Sequence, residues 1–134
     1  MVLSIKLNNP KPKRIYNDNE HQLQVTCKRW FDLQYKNLSR LLFAVPNGHL
    51  RNVRIAIKLK AEGVVAGVSD MILLVPNKHY HALLLEFKTN KGRQTSEQIK
   101  FETLATQFNY KYVIIKDLKT FIDVINDYLS NFEI

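Results

Sequence analysis

The chain contains a single cysteine, Cys27, so neither a disulfide framework nor a cysteine metal site is available to it. It has no apolar run approaching the ~20 residues of a membrane-spanning helix. The opening Met1-Val-Leu-Ser-Ile-Lys6 carries too short an apolar stretch for a secretory signal. Internal repeats and low-complexity tracts are also missing. These absences exclude secreted disulfide scaffolds, repeat arrays and membrane spans. The expectation is an intracellular protein, and 134 residues suit one domain with a single core.

Positive charge is plentiful. Lys and Arg number 20 against 12 Asp and Glu, a formal net charge of +8. The cations cluster at Lys11–Arg14, Lys58–Lys60 and Lys88–Arg93. Such clusters point to a polyanionic partner, nucleic acid first. A basic surface that only keeps the protein soluble is the plain alternative. Charge therefore names a partner class and no reaction.

Residues 1–15 end in Asn8-Asn9-Pro10-Lys11-Pro12-Lys13-Arg14 and read as a basic N-terminal arm, with residues 16–134 forming the domain. Asn17 or Asp18 can cap a helix carrying Leu23, Cys27, Trp30 and Gln34 on one stripe, with Glu20 in its first turn. Leu41–Val45 reads as a short buried strand stopped by Pro46-Asn47-Gly48. A helix from about Asn52 to Glu62 follows, with Gly63 at its end. Arg51 and Arg54, at helical spacing, are suited to clamp phosphates, whereas His49 reads as an exposed loop residue. Thr95-Ser-Glu-Gln98 is a capping box opening a helix that buries Phe101, Leu104, Ala105 and Phe108. A strand, Tyr110–Ile115, and a helix started by Asp117 close the chain, the latter with Leu118, Phe121, Ile122, Ile125, Tyr128 and Leu129 inward. This order argues for an α/β fold with a mixed sheet flanked by helices.

The chemistry gathers between Gly67 and Lys88. Two apolar strands, Met71–Pro76 and Ala82–Lys88, are joined by the polar turn Asn77-Lys78-His79. Side chains alternate along a strand, so Glu86 and Lys88 share a face, and a hairpin of this length returns Asp70 beside Glu86. Buried charges are costly unless paired or bound to metal. Hard oxygen donors in small number suit Mg²⁺ or Mn²⁺, and Lys88 beside them completes the equipment for hydrolysing a phosphodiester. The alternative makes Asp70 a turn residue and Glu86 and Lys88 the wet face of an edge strand. The apolar residues at Ala82 and Leu84 argue against it.

Asp70 with Glu86-Phe87-Lys88 resembles the PD-(D/E)xK nuclease superfamily. Glu20 with Gln24, Ala61-Glu62-Gly63, Gly67-Val68-Ser69-Asp70, Glu86-Phe87-Lys88 and Gln98 occur in the order of the stand-alone VRR-NUC (virus-type replication-repair nuclease) domains, over nearly the whole chain. One departure is Ser69, where similar domains usually have proline. The resemblance implies a restriction-endonuclease-like fold. It implies Asp70, Glu86 and the Phe87 carbonyl as ligands of Mg²⁺ or Mn²⁺, with Glu20 completing that site or reaching a second. Lys88 would position the attacking water, assisted by Gln98, while Arg51, Arg54, Lys91 and Arg93 would grip flanking phosphates. It further implies a homodimer cutting branched DNA such as Holliday junctions, in DNA repair in the cytoplasm of a bacterial or phage-infected cell. The competing readings are a non-catalytic nucleic-acid-binding module, which does better without carboxylates facing phosphate, and a flap or nicking nuclease of the same fold.

Overall fold

Five consecutive buried residues, Leu83–Phe87, form an interior strand of the computed structural model, which describes residues 19–46 and 52–131. The elements run α1 (Asn19–Gln34), a 3-10 helix (Lys36–Leu41), β1 (Leu42–Ala44), α2 (Val53–Ala61), β2 (Met71–Leu73), β3 (Leu83–Phe87), α3 (Ser96–Gln107), β4 (Lys111–Ile115) and α4 (Leu118–Ser130). The sheet order is β1-β2-β3-β4. β1–β2 and β2–β3 pair antiparallel, and β3–β4 pairs parallel. A parallel pair needs a crossover, and α3 supplies it. The expected α/β mixed sheet is present.

Alternation along β3 sets the layers. Leu83, Leu85 and Phe87 join Cys27 and Phe31 of α1 and Phe121, Ile125 and Tyr128 of α4 in the main core. Leu84, on the other face, lies with Phe101 and Ala105 of α3. With helices on both faces β3 has no wet side, which disposes of the edge-strand alternative for Glu86 and Lys88. The hairpin loop is fastened to α4: the Tyr128 hydroxyl donates to the Val75 carbonyl at 2.6 Å, and the Asn77 amide donates to the Tyr128 carbonyl at 3.1 Å. Burial pushes the Cys27 thiol up to about 12, so it acts as a small apolar group.

Several expectations need correcting. Leu41–Val45 is not a buried strand: Leu41 ends the 3-10 helix, and within β1 only Leu42 is buried. β1 pairs on one side only, so its outer residues meet solvent. β2 ends at Leu73 rather than Pro76, because Leu74 turns outward and is exposed. In α1, Phe31 and not Gln34 completes the buried stripe, since positions 23, 27 and 31 follow i, i+4 spacing more closely. In α3 only Ala105 is buried, whereas Leu104 and Phe108 are 57% and 63% exposed. This helix packs chiefly on β4 at the sheet's edge, which covers one narrow side of it. The N-terminal arm, the Asn17 or Asp18 cap, the Asn47-Gly48 turn, His49 and Arg51 lie outside the described residues. No described helix is long and apolar enough to cross a membrane.

Candidate active site

Asp70 directly precedes β2, and the register Met71↔Leu85 places it opposite Glu86. Its Oδ2 accepts the Phe87 amide at 2.8 Å, which fixes the carboxylate across the end of the hairpin. The carboxyl groups of Asp70 and Glu86 are within hydrogen-bonding reach of each other. Glu86 is only 2% exposed. Burial first, and then the neighbouring Asp70, pushes its carboxyl up to about 8, against the opposing pull of Lys88. Burial raises Asp70 as well. Without a cation the two groups therefore retain a proton at neutral pH.

Gln98 settles a choice that spacing leaves open. Its Oε1 accepts the Thr95 amide at 2.8 Å, closing the capping box, while its Nε2 donates to Glu86 Oε1 at 2.8 Å. One side chain thus caps α3 and orients Glu86. Its side-chain partner in the site is Glu86, which in turn faces Lys88. The other Glu86 oxygen, Oε2, is buried and accepts from no donor among the described residues. Lys88 is 9% exposed, and its Nζ stands 3.9 Å from Glu86 Oε1, an ion pair too long for a hydrogen bond.

Gly67 holds these parts in register. Its φ of +87° suits glycine, and a Cβ there would lie 2.4 Å from the Glu97 carbonyl carbon and 2.8 Å from the Gln98 nitrogen. The loop leading to Asp70 is therefore pressed against the backbone at the start of α3. Gly67→Ala is expected to cost roughly 1–3 kcal/mol from backbone strain alone, seen as a lower melting temperature. It should also displace Gln98 from Glu86 and slow any reaction that depends on that pair. Unchanged melting and activity would show that the loop and helix are not keyed together here. Ser69, the departure from the usual proline, is buried and its hydroxyl has no partner among the described residues.

The remaining expected residues are dispersed. Glu20 Oε1 accepts the Thr89 amide at 3.3 Å, beside the Asp70–Glu86 pair and not joined to it. Among the described residues, no three His, Cys, Asp or Glu side chains converge on one metal position. Arg54, Lys91 and Arg93 are exposed, and no described hydrogen bond or ion pair ties their side chains to the pair. Local spacing gave no sign of Gln94, Glu102 and Tyr112. Gln94 Nε2 donates to Glu102 Oε2 at 2.9 Å and lies 3.5 Å from the Tyr112 hydroxyl, bracing the loop after β3 against α3. Burial, and in smaller part the Glu86 and Asp70 charges, push the Tyr112 hydroxyl up to about 12, which places it on the same side of the sheet. No signal in the sequence marked it, since it reaches this side by pairing with Leu84 across the parallel register.

A family model described as "VRR-NUC domain" matches residues 8–116. Among solved structures, the chain is similar to one described as "VRR_NUC domain protein", with a TM-score of 0.75 and 24% identity over 86% of this chain and 91% of that one. At that identity the likeness speaks for the fold. No curated protein matches the chain.

Proposed function

We propose, from the premise that this chain belongs to the VRR-NUC domain family, that it is a metal-dependent endonuclease hydrolysing phosphodiesters in branched DNA. Membership itself gives a nuclease-type function, with nucleic acid as the expected partner of a chain carrying a net charge of +8. The observation that carries the finer reading is the buried Asp70–Glu86 pair, whose Glu86 Oε2 receives no hydrogen bond from a donor among the described residues, with Lys88 on the same face. Such a pair of buried acceptors suits a hard divalent cation, which needs only one or two carboxylates when phosphate and water complete its shell.

Asp70, Glu86 and the Phe87 carbonyl would hold Mg²⁺ or Mn²⁺, and Glu20, whose Oε1 accepts the Thr89 amide, would complete that site or serve a second. When bound, the cation supplies Lewis-acid polarisation of the phosphate and relieves the repulsion between the carboxylates. The chain's own residues prepare the ground for it. The Phe87 amide holds Asp70 and the Gln98 amide holds Glu86, so neither carboxylate has to reorganise as substrate arrives. Lys88, desolvated at the end of β3, positions the attacking water and carries positive charge toward the reacting phosphate. Arg51, Arg54, Lys91 and Arg93 grip flanking phosphates, which makes binding salt-sensitive.

Incising both strands of a junction symmetrically calls for a two-fold homodimer. Exposed apolar residues on α2 (Val53, Ile55, Ile57) and α3 (Leu104, Phe108) offer surface for it. Labelled four-way junction, flap, linear duplex and single strand, incubated with Mg²⁺, Mn²⁺ or EDTA, test the whole reading. Paired, metal-dependent incisions confined to the junction are the expected result. Cutting spread over every substrate would discard the preference for branches, and tight binding without cutting under either metal would overturn catalysis.

A further inference from the structure

We infer that a cavity behind Lys88 seats a second, non-scissile phosphate of the DNA backbone, with Lys116 as its main specificity-determining residue. This rests on the nuclease reading for its biological meaning, though the seat itself is a matter of charge and shape. The cavity, about 170 Å³, is lined by Asn19, Leu23, Lys88, Thr89, Asn90 and Lys116. It lies at the carboxyl ends of the parallel strands β3 and β4, where open α/β sheets receive ligands.

Strand register makes the cavity cationic. The last registered pair is Phe87↔Ile115, and the Lys88 amide donates to the Ile115 carbonyl at 3.0 Å, so the ladder runs one step further. Lys88 and Lys116 therefore stand opposite each other on one face of the sheet. Like charges directly opposite are unfavourable unless an anion joins them. Lys88 is nine-tenths buried, and its ion pair with Glu86 is stretched to 3.9 Å. Among the described residues, the Lys116 side chain has no hydrogen-bond or ion-pair partner. The fold thus brings two cations to one cavity, with Lys88 only loosely paired to Glu86 and Lys116 unpaired among the described residues.

The rest of the lining suits a tetrahedral oxyanion. Asn19 and Asn90 bring amide donors and Thr89 a hydroxyl. The first turn of the 16-residue helix α1 adds the positive end of its dipole. Glu20 stands beside it, its Oε1 accepting from the Thr89 amide at 3.3 Å. The volume is well below the ~300–1,000 Å³ of drug-sized ligand sites, so a phosphate fits better than a whole nucleotide. Because Lys88 borders both the carboxylate pair and this cavity, an anion held here would fix the strand's path relative to the reacting centre. The ligand chemistry is a phosphate, whether an internal diester next to the scissile one or a strand-terminal phosphate.

The test uses the 134-residue chain and a labelled four-way junction. Affinity is measured in EDTA and cleavage in Mg²⁺, for wild type, Lys116→Gln and Lys116→Arg. Substrates carry either a neutral methylphosphonate at single positions flanking the cut or a strand end with or without its phosphate. Lys116→Gln should weaken binding about tenfold, the worth of one charge-assisted contact, and raise KM rather than lower kcat. Lys116→Arg should recover most of that loss. In wild type, one methylphosphonate position should cost a similar factor, and that cost should vanish in Lys116→Gln. Vanishing only with the terminal phosphate would assign the same seat to a strand end. If the losses for Lys116→Gln and for every modified phosphate simply multiply, Lys116 contacts none of them and the seat is refuted. If wild type never cleaves, the nuclease reading fails, while the EDTA affinities still decide the seat.

Discussion

Lys88→Ala is expected to abolish cleavage while leaving DNA binding largely intact. Lys88 is buried at the end of β3, and its ion pair with Glu86 is stretched to 3.9 Å, so it makes no strong structural ion pair. Its proposed work is done at the reacting phosphate, where a positioned cation acts on charge developing in the transition state. Losing such a group typically costs about 10²–10³ in rate, and more when it also positions the nucleophile. Binding should survive because Lys88 is buried and not part of the exposed basic surface, and Lys116 is left in place to hold the flanking phosphate. Single-turnover cleavage and a binding titration on the same branched substrate separate the two effects. Equal loss of both would contradict this division of labour. Lys88→Arg should bind and still cleave poorly, since a broad planar fork cannot replace a compact ammonium in a desolvated position.

Glu86→Gln should be equally damaging to cleavage, yet it should stabilise the metal-free protein at alkaline pH. The sign follows from linkage. The Glu86 carboxyl is raised from 4.5 to about 8 in the folded protein, chiefly by burial and then by Asp70. Between those values the folded chain keeps a proton that the unfolded chain has released. The group's contribution to stability is therefore fully present below about pH 4.5 and is lost as pH rises through about 8. Asp70, also raised, acts in the same direction. A displacement of this size corresponds to a few kcal/mol, or on the order of 10 °C in melting temperature for a domain of this length. In EDTA, wild type should melt progressively lower from pH 5.5 to 8.5, and Glu86→Gln should flatten that slope. Adding Mg²⁺ or Mn²⁺ at pH 8 should restore wild type by mass action and leave the variant unmoved. A flat wild-type profile in EDTA would show that the pair is not the strained, proton-sharing arrangement described.

The meeting of Asp70 and Glu86 was legible because hairpin register is a local matter. Once Met71–Leu73 and Leu83–Phe87 are strands, their separation in sequence limits how they align, and alternation gives Lys88 the face of Glu86. The apolar run through Ala82–Leu85 likewise announced a strand covered on both sides. What escaped was non-local. Gln98 was named through the resemblance as an aid to Lys88, but its contact with Glu86 was not, because that contact depends on how the loop at Gly67 packs against the start of α3. Lys116 and Tyr112 come into play through a parallel register, which no local spacing reveals. Periodicity in α3 named an apolar face without telling whether anything covers it. Leu104 and Phe108 fit that period and remain exposed, because the sheet beneath is too narrow to reach them. The α2 sequence Val53-Arg-Ile-Ala-Ile-Lys-Leu-Lys-Ala61 puts apolar residues on more than one side of a helix, and none of them is buried.

Ser69 makes the relation between family pattern and packing concrete. Where similar domains usually place proline, this chain buries a hydroxyl that has no partner among the described residues. Such a group costs about 1–3 kcal/mol relative to a satisfied one. The loop nevertheless delivers Asp70 to the Phe87 amide at 2.8 Å. Its path is fixed by Gly67 and by the Val45 amide, which donates to the Asp70 carbonyl at 2.8 Å. The turn's geometry therefore does not depend on proline's restricted φ.

The Asp70–Glu86 pair is proposed as the place where a divalent cation and a DNA phosphate meet. Single-turnover cleavage of an end-labelled four-way junction by wild type and Asp70→Asn, side by side, in Mn²⁺ and in EDTA tests this. Product is expected only for wild type with metal, with junction affinity in EDTA similar for the two proteins. Cleavage by Asp70→Asn at the wild-type rate, or by wild type in EDTA, would place the chemistry somewhere else.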